Sequence, residues 1–463
     1  IALNPFIPSL PVATRLTQGE VKASAFLGDI QTPQDLQRLG LNRVKANAQL
    51  QLAVADSPVS VKSELQQGNL TAIANLGSLP LNALAPQLPV PAEVNQGKIS
   101  LIANVADLLK PRPDLSQVEA IAAVDLTVAG GSVTSVSQLE NLGWQSRITA
   151  QNVNLNPLLS QGAKREIFNL APVNGTANLR GDLKSLFTPQ GKLGSLPVII
   201  QQSQIRSGDQ RLTAQGKLVV GNLAQRPQLS TVNLAVTSQI DLAQLPVNQA
   251  IAQLPLAPEF KPAPWHLVGK TQFTGQLTGQ TVTDLKGLKL VGQVAVKNLS
   301  LNDYRFEPQL TGPLSAQYGQ PISLNLKGEQ DQLAFNIKPC RGQCLSPYLP
   351  TSFSFRQAYN RTEPIVAQGQ LKGDRLEMAI EHFPLAMLNL RPALRYDIPG
   401  RLEGAVQGQM AINLRSGNGQ GNIRVDRPKV GYLAFDELKE DLTYQNQLLK
   451  LTQGHVIVGK SQY

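Results

Sequence analysis

The chain has 463 residues, of which 42% are hydrophobic, 16% are charged and 5% are aromatic. This hydrophobic content is enough to bury a core, which excludes an intrinsically disordered chain. The net charge is +10 at pH 7. The basic residues are scattered singly, so we interpret them as protection of strand edges and expect no nucleic-acid partner.

Alternation of apolar and polar residues with a period of two marks the first clear element, at residues 44–54. The same pattern recurs at 232–242 and 402–414, with weaker copies at 99–105, 177–183, 288–296 and 333–337. Strands of this kind have one dry face and one wet face, as in antiparallel sheets. We therefore predict a mainly β fold, an elongated, repetitive, curled antiparallel β-sheet (a β-taco, or groove) with short interspersed helices.

The candidate binding residues are the apolar side chains on the dry face of the three clearest strands. Their predicted role is to solvate apolar groups. They are Val44, Leu50, Leu52, Val54, Val232, Leu234, Val236, Leu402, Val406, Met410 and Ile412.

A recurring phrase, Leu or Phe followed by Pro and then Leu or Val, occurs at 10–12, 79–81, 196–198, 245–247, 254–256 and 383–385. Proline suits the first turn of a helix. We expect helices of one or two turns that plug or cap the sheet at these points.

An internal repeat connects residues 254–306 with residues 383–435, 129 positions later and without a gap. Gly275 matches Gly404, and Phe306 matches Phe435. A repeat made of strands favours units stacked in one direction. The repeat and the proline-rich joints at 110–114 and 255–264 predict four groove segments, at 1–110, 111–253, 254–382 and 383–463.

The two cysteines, Cys340 and Cys344, are four positions apart between strands. They form either a small disulfide loop in an oxidising compartment or a pair of free thiols. A zinc site needs a second pair of ligands, which the chain lacks. We therefore predict no metal.

Motifs for chemistry are weak, so we predict that the chain is not an enzyme and uses no cofactor. Residues 454–461 fit the phosphate-loop pattern, but the intervening residues are typical of a strand. The glycine-rich stretch at 417–422 is flanked by strand patterns and is interpreted as a hairpin. The three histidines, His266, His382 and His455, lie far apart in the sequence.

No run of about 18 apolar residues is present. The chain begins at Ile1 and stops at Tyr463 within a strand-like pattern. We expect it to be an internal piece of a longer protein.

The stretch from His382 to Pro392, followed by Gly400–Gly404, residues 421–425 and residues 449–463, resembles the TamB family of translocation and assembly module proteins. The likeness is to the large cyanobacterial and chloroplast-envelope members, and more distantly to AsmA-like proteins. It implies a long β-groove in the periplasm, anchored to the inner membrane. It also implies a meeting with an Omp85-family outer-membrane protein. Both the anchor and that contact would use regions outside this chain.

Together these features predict a periplasmic segment of a bridge between the inner and outer membranes. It would shield phospholipid acyl chains and support outer-membrane biogenesis. One alternative is a scaffold or chaperone for Omp85-dependent assembly, translocation or secretion of outer-membrane proteins, acting through exposed sheet edges. Another is a β-solenoid adhesin whose dry face packs against itself.

Overall fold

The computed structural model describes residues 14–25, 43–84, 90–108, 114–156, 171–184, 194–221, 228–245, 264–282, 287–317, 319–340, 348–388, 402–445, 448–459 and 461–462. Strands account for 76% of these residues and helices for 4%. The predicted mainly β fold, an antiparallel sheet with short interspersed helices, is confirmed. No helix in these ranges is long and apolar enough to cross a membrane.

The strands are numbered in chain order. They are β1 (Thr14–Ala25), β2 (Val44–Val54), β3 (Ser57–Gln66), β4 (Asn69–Leu76), β5 (Leu79–Pro80), β6 (Ala92–Asn104), β7 (Glu119–Val128), β8 (Gly131–Glu140), β9 (Gly143–Val153), β10 (Val173–Asp182), β11 (Leu196–Ser207), β12 (Gln210–Gly221), β13 (Gln228–Asp241), β14 (Leu267–Val282), β15 (Lys289–Leu301), β16 (Tyr304–Arg305), β17 (Gln309–Gln317), β18 (Ile322–Lys327), β19 (Gln332–Pro339), β20 (Tyr348–Gln357), β21 (Ile365–Lys372), β22 (Arg375–Pro384), β23 (Leu402–Asn413), β24 (Gly419–Val430), β25 (Leu433–Ala434), β26 (Glu437–Gln445), β27 (Leu448–Val458) and β28 (Ser461–Gln462).

The chain divides into two compact units, unit 1 (Ile1–Leu234) and unit 2 (Ala235–Tyr463), with the boundary inside β13. In each unit, strands that follow one another in the sequence pair with each other. Where a two-residue strand intervenes, the strands before and after it pair instead. The four segments predicted from the repeat and the proline-rich joints stay a prediction, because two of their three joints lie outside the described residues.

Tight hairpin turns fix the strand register in unit 1. Ala55 and Asp56 both have positive φ, at 47° and 64°, and so do Gln67 and Gly68, at 51° and 79°. A two-residue turn with positive φ at both positions twists in the same sense as the strands it joins. Since side chains alternate between faces, a fixed register keeps the apolar residues on one face from strand to strand.

Register shifts recur near the ends of β15, β22 and β24 in unit 2. They fall where Asn298, His382 and Arg427 have φ of 51°, 48° and 50°. Each shift is a β-bulge, which bends its strand and increases the local twist. These three strands run in the same direction, so the three bulges lie at the same end of the strands.

The short helices follow the Leu-Pro phrase in two of the described cases. An α-helical turn at Leu81–Leu84 follows Pro80, and a 3₁₀ turn at Leu385–Leu388 follows Pro384. The prediction is wrong at 196–198, where Pro197 is the second residue of β11. Proline is tolerated at the start of a strand, where its missing N–H costs little. The phrases at 10–12 and 254–256, and most of 245–247, lie outside the described residues.

Two further short helices, Val105–Leu108 and the 3₁₀ turn Leu242–Gln244, follow β6 and β13 directly. The carboxylate of Asp241 caps the second of these by accepting from the backbone N–H of Ala243 at 3.0 Å. A carboxylate at this position accepts a hydrogen bond from a backbone N–H group that has no partner within the helix.

The internal repeat is visible in the backbone. β15 and β16 in the first copy correspond to β24 and β25 in the second. Phe306 donates its N–H to the carbonyl oxygen of Leu299 at 3.0 Å, and Phe435 makes the equivalent bond to Pro428 at 3.0 Å. The repeated residues therefore specify the same bulge and turn twice in unit 2.

Candidate functional site: the apolar face of each unit

One face of unit 2 carries a continuous line of apolar residues and glycines, each directly opposite the next on the neighbouring strand. We call it the unit 2 row. It spans eleven strands, from β14 to β26. Its members are Gly275, Gly292, Leu314, Leu324, Phe335, Phe353, Gly369, Met378, Met410, Gly421 and Leu442.

The unit 2 row is partly open. Of its eleven members only Leu442 is buried, and the others are half-buried or exposed. Phe335 is 43% exposed although it lies on the apolar face. An apolar line that is neither covered nor broken can contact an apolar ligand along its length.

A compact cluster closes the apolar face at one end of the strands. We call it the aromatic plug; its rings are Phe306, Phe355 and Phe383, and its other members are the buried residues Leu310, Ile365 and Met387 on the adjoining elements. The rings of Phe306 and Phe355 pack edge to face with centroids 5.5 Å apart. Leu310, Ile365 and Met387 are fully buried. Since Phe355 is two residues from Phe353, the plug begins about 7 Å from the unit 2 row.

The plug is held by polar contacts beneath it. The Asn302 side-chain amide donates to the carbonyl oxygen of Met387 at 2.9 Å, which fixes the 3₁₀ turn at Leu385–Leu388. The buried carboxylate of Asp331 accepts from the backbone N–H groups of Glu307, Ala358 and Tyr359 at 2.8, 2.6 and 3.0 Å. Each of these bonds links two of the loops that connect successive strands.

The corresponding line in unit 1 also spans eleven strands, from β1 to β12, and we call it the unit 1 row. Its members are Gly19, Leu50, Val61, Ala74, Ile99, Ala122, Ser137, Ser146, Leu179, Ile200 and Gly216. It is open too, since Ile99 is 36% exposed. Its side chains are smaller than those of the unit 2 row.

Three serines interrupt the apolar character of unit 1, and we call them the serine cluster. Ser137 donates to the hydroxyl oxygen of Ser146 at 2.9 Å, and the hydroxyl of Ser135 lies 3.3 Å from the same oxygen. The hydroxyls therefore satisfy one another, which lowers the cost of placing them on a dry face.

The predicted binding residues lie on this face in both units. Leu50 belongs to the unit 1 row and Met410 to the unit 2 row, where it is directly opposite Met378. On β2, Val44, Leu50, Leu52 and Val54 are half-buried. On β13, Val232, Leu234 and Val236 are buried, and on β23 Val406 is buried while Leu402, Met410 and Ile412 are half-buried. The predicted residues therefore lie on three strands that do not pair with one another.

The sequence prediction missed the aromatic residues at the centre of the unit 2 row. Phe335 and Phe353 are directly opposite each other on β19 and β20. The alternation of serine and phenylalanine at 352–355 was a usable signal. It was short, which made it weaker than the signal of the longer strands.

The polar motifs have structural roles. Residues 454–458 lie in β27 and Gly459 forms a turn with φ 60° before β28, so this stretch is a hairpin. Residues 417 and 418 belong to the connection between β23 and β24, and residues 419–422 begin β24, so this stretch is also part of a hairpin. No group of three metal-ligating side chains is found in the described ranges.

Cys340 is in a disulfide bond. Its predicted partner, Cys344, lies outside the described residues. Elsewhere, Lys372 at the end of β21 hydrogen-bonds Glu377 on β22 and lowers the pKa of that carboxyl, away from the apolar face.

Comparison of the chain with protein-family models, with curated proteins and with solved structures finds no match. The likeness to the TamB family therefore remains a prediction that rests on the quoted residues.

Proposed function

We propose that the chain binds phospholipid acyl chains along its two apolar rows and shields them from water. In this proposal it is a periplasmic segment of a TamB-like bridge between the inner and outer membranes. The observation that carries the proposal is the unit 2 row, an unbroken apolar line of eleven strands whose side chains remain partly accessible.

The dimensions of the row suit acyl chains. Ten steps between strands at about 4.8 Å each give a path of roughly 48 Å. The hydrocarbon core of a bilayer is about 30 Å thick and holds two tails end to end, so one tail spans about 15 Å. The unit 2 row is therefore long enough for about three tails in line.

The energetics suit transfer rather than permanent capture. Each CH₂ group removed from water contributes about 0.8 kcal/mol, so a fully covered tail of about 16 carbons contributes on the order of 10 kcal/mol. An open face covers only part of the tail and recovers about half of this. Because the contact is non-directional and continuous, a tail can shift by one strand without losing it.

The disulfide bond of Cys340 supports a compartment outside the cytosol, since disulfides persist in oxidising environments. Attachment to the inner membrane and contact with an Omp85-family protein would use regions outside this chain. Within the chain, the proposed role is solvation of lipid tails, with no covalent chemistry.

The test is native mass spectrometry and lipid extraction of the full chain purified from a Gram-negative host. We expect several phospholipids per chain. The Phe335→Glu variant places a charge on the unit 2 row, and we expect it to reduce the bound phospholipid by at least about half. The matched control is Val291→Glu, because Val291 is also 43% exposed but lies on the wet face of β15.

Equal lipid content in the two variants would contradict the proposal. A charge on the apolar face would then have the same effect on lipid binding as a charge on the wet face. A lipid-free chain that crosslinks from its strand edges to β-barrel precursors would favour the scaffold for outer-membrane proteins. A lipid-free chain without such crosslinks would favour a self-packed adhesin.

A local readout is available in unit 1. The chain has two tryptophans, and Trp144 lies on the apolar face, directly opposite Leu139 and Gly181. In a Trp265→Phe background, phospholipids with brominated tails should quench the fluorescence of Trp144. Phospholipids brominated only in the headgroup should leave it unchanged.

A further inference from the structure

A polar cavity of about 800 Å³ lies at the plug end of unit 2. Its walls come from the turn before β16, the connection between β20 and β21, and the region where β22 ends and β23 begins. The volume is within the range of small-molecule sites. The proposed acyl-chain binding leaves this cavity without a role.

Gln357 is the most buried polar group in the cavity wall, with 2% of its surface exposed. Its side-chain N–H groups donate to the carbonyl oxygens of Arg305 and Tyr359 at 2.8 and 3.1 Å. Its amide oxygen is buried and has no hydrogen-bond partner among the described residues. Because both N–H bonds run to carbonyl oxygens, the orientation of the amide is fixed, and a ligand that reaches this oxygen must bring a donor.

Several polar and titratable groups around the cavity have partners within the protein. His382 Nδ1 lies 3.3 Å from Glu363, and Lys429 lies 3.8 Å from Glu403. The guanidinium of Arg361 lies over the ring of Tyr304, 5.1 Å from its centroid. A charged ligand that binds at these groups would have to displace one of these contacts. A neutral ligand that both donates and accepts can bond to the same groups without breaking the pairs.

The other wall residues fit a ring with several hydroxyl groups. Tyr359 provides aromatic surface against which the C–H groups of a sugar ring can pack, and Asn360 and Thr362 provide both donors and acceptors. One concave site thus contains a buried acceptor, two paired carboxylates, a tyrosine ring and uncharged polar side chains. This set matches hydroxyl groups placed around a pyranose.

We propose that this cavity binds a neutral hexose ring. The donor to Gln357 would be a sugar hydroxyl, with Glu403 and Asn360 holding others at the rim. The hexose can belong to a free saccharide or to the headgroup of a glycolipid, and the two share this chemistry. The site stands independently of acyl-chain binding, since its wall residues are mostly polar and none of them belongs to the unit 2 row.

The first experiment is saturation-transfer NMR and calorimetry on the full chain with methyl β-D-galactopyranoside and methyl α-D-glucopyranoside. Glycerophosphoethanolamine serves as the charged comparison. We expect at least one hexoside to bind and glycerophosphoethanolamine not to bind. In Glu403→Ala and Asn360→Gly, hexoside affinity should fall roughly fivefold to tenfold, the effect of losing about one hydrogen bond.

These variants keep the fold testable. Glu403 is exposed, and glycine at position 360 accepts the φ of 55° that Asn360 has. The control is Arg415→Gln, which breaks an exposed ion pair with Asp374 outside this cavity and should leave the affinity unchanged. Binding of neither hexoside, preference for glycerophosphoethanolamine, or equal affinity in all three variants would overturn the proposal.

Vesicles that contain a monohexosyl diacylglycerol distinguish the two sources. Vesicle binding that the free hexoside displaces assigns the site to a glycolipid headgroup. Hexoside binding without vesicle binding assigns it to a soluble saccharide. Since neither readout depends on lipid that copurifies with the chain, failure of the hexose site and failure of the acyl-chain proposal are separable.

Discussion

The two units have the same kind of sheet but differ in what covers the apolar face. The unit 1 row is made mostly of small side chains and is interrupted by the serine cluster. The unit 2 row places Phe335 against Phe353 and Met378 against Met410, and it ends beside the aromatic plug. The alternation of apolar and polar residues along each strand thus decides which face is dry. The size of the side chains decides how far that face is filled by the protein itself.

The difference extends to the way each unit is held together. Near the plug, unit 2 uses buried carboxylates that bond to backbone N–H groups of several connections. In unit 1 the polar groups on the apolar face are serine hydroxyls that bond mainly to one another or to a neighbouring strand. We therefore expect unit 2 to depend on a few critical residues and unit 1 to distribute its stability along the strands.

The largest expected effect is that of Asp331→Ala in unit 2. The change leaves three backbone N–H groups buried without an acceptor, and each costs about 1–3 kcal/mol. We expect unit 2 to lose at least about 3 kcal/mol of unfolding free energy. Hydrogen-exchange mass spectrometry should show faster exchange in β17 and β21 and unchanged exchange in β7.

The matched control for Asp331 is Asp374→Ala, also in unit 2, which removes an exposed ion pair and should cost less than about 1 kcal/mol. Similar effects of the two changes would mean that the buried carboxylate does not hold the plug. Faster exchange in β7 would show instead that the units lose stability together.

Glycine positions give an effect of intermediate size that should be equal in the two units. Gly216 in unit 1 has φ 143° and Gly408 in unit 2 has φ 156°, and at each a Cβ atom would lie 2.2 Å from a carbonyl oxygen on the next strand. Alanine at either position should cost more than about 1 kcal/mol, measured by urea unfolding.

Gly130→Ala is the control for these glycines, since Gly130 has φ 79° with open space around it. Its unfolding free energy therefore measures only the cost of placing alanine at a positive φ, without a clash. If Gly216→Ala costs no more than this control while Gly408→Ala does, the close approach of neighbouring strands matters in only one unit. That result would sharpen the contrast between the two faces.

The smallest expected effect is in the serine cluster. Ser146→Ala removes the acceptor of the Ser137 hydroxyl and should cost about 1 kcal/mol. Replacing Ser135, Ser137 and Ser146 together by alanine removes all the partners at once and should be nearly neutral. The triple variant should also retain more phospholipid, because the unit 1 row becomes apolar throughout. A triple variant that costs about three times the single one would show that each serine has a partner outside the cluster.

Part of the apolar face was predictable because alternation is a local property. The strands predicted at 44–54 and 402–414 coincide closely with β2 and β23. The repeat of 129 residues predicted that the turn before Phe306 recurs before Phe435, and the backbone bonds agree. The helix expected at 196–198 was wrong because proline also fits the start of a strand, and only the pairing of β11 with β10 and β12 decides between them.

The sequence by itself determined the strand character, the antiparallel pairing of neighbours and the identity of the dry face, because each depends on residues close together in the chain. Only the tertiary structure decided which residues are opposite one another, that Phe306, Phe355 and Phe383 form a plug, and that Gln357 lies in the wall of a polar cavity. Such contacts join residues up to 85 positions apart. Their formation depends on the register of every intervening strand, which composition and periodicity leave open.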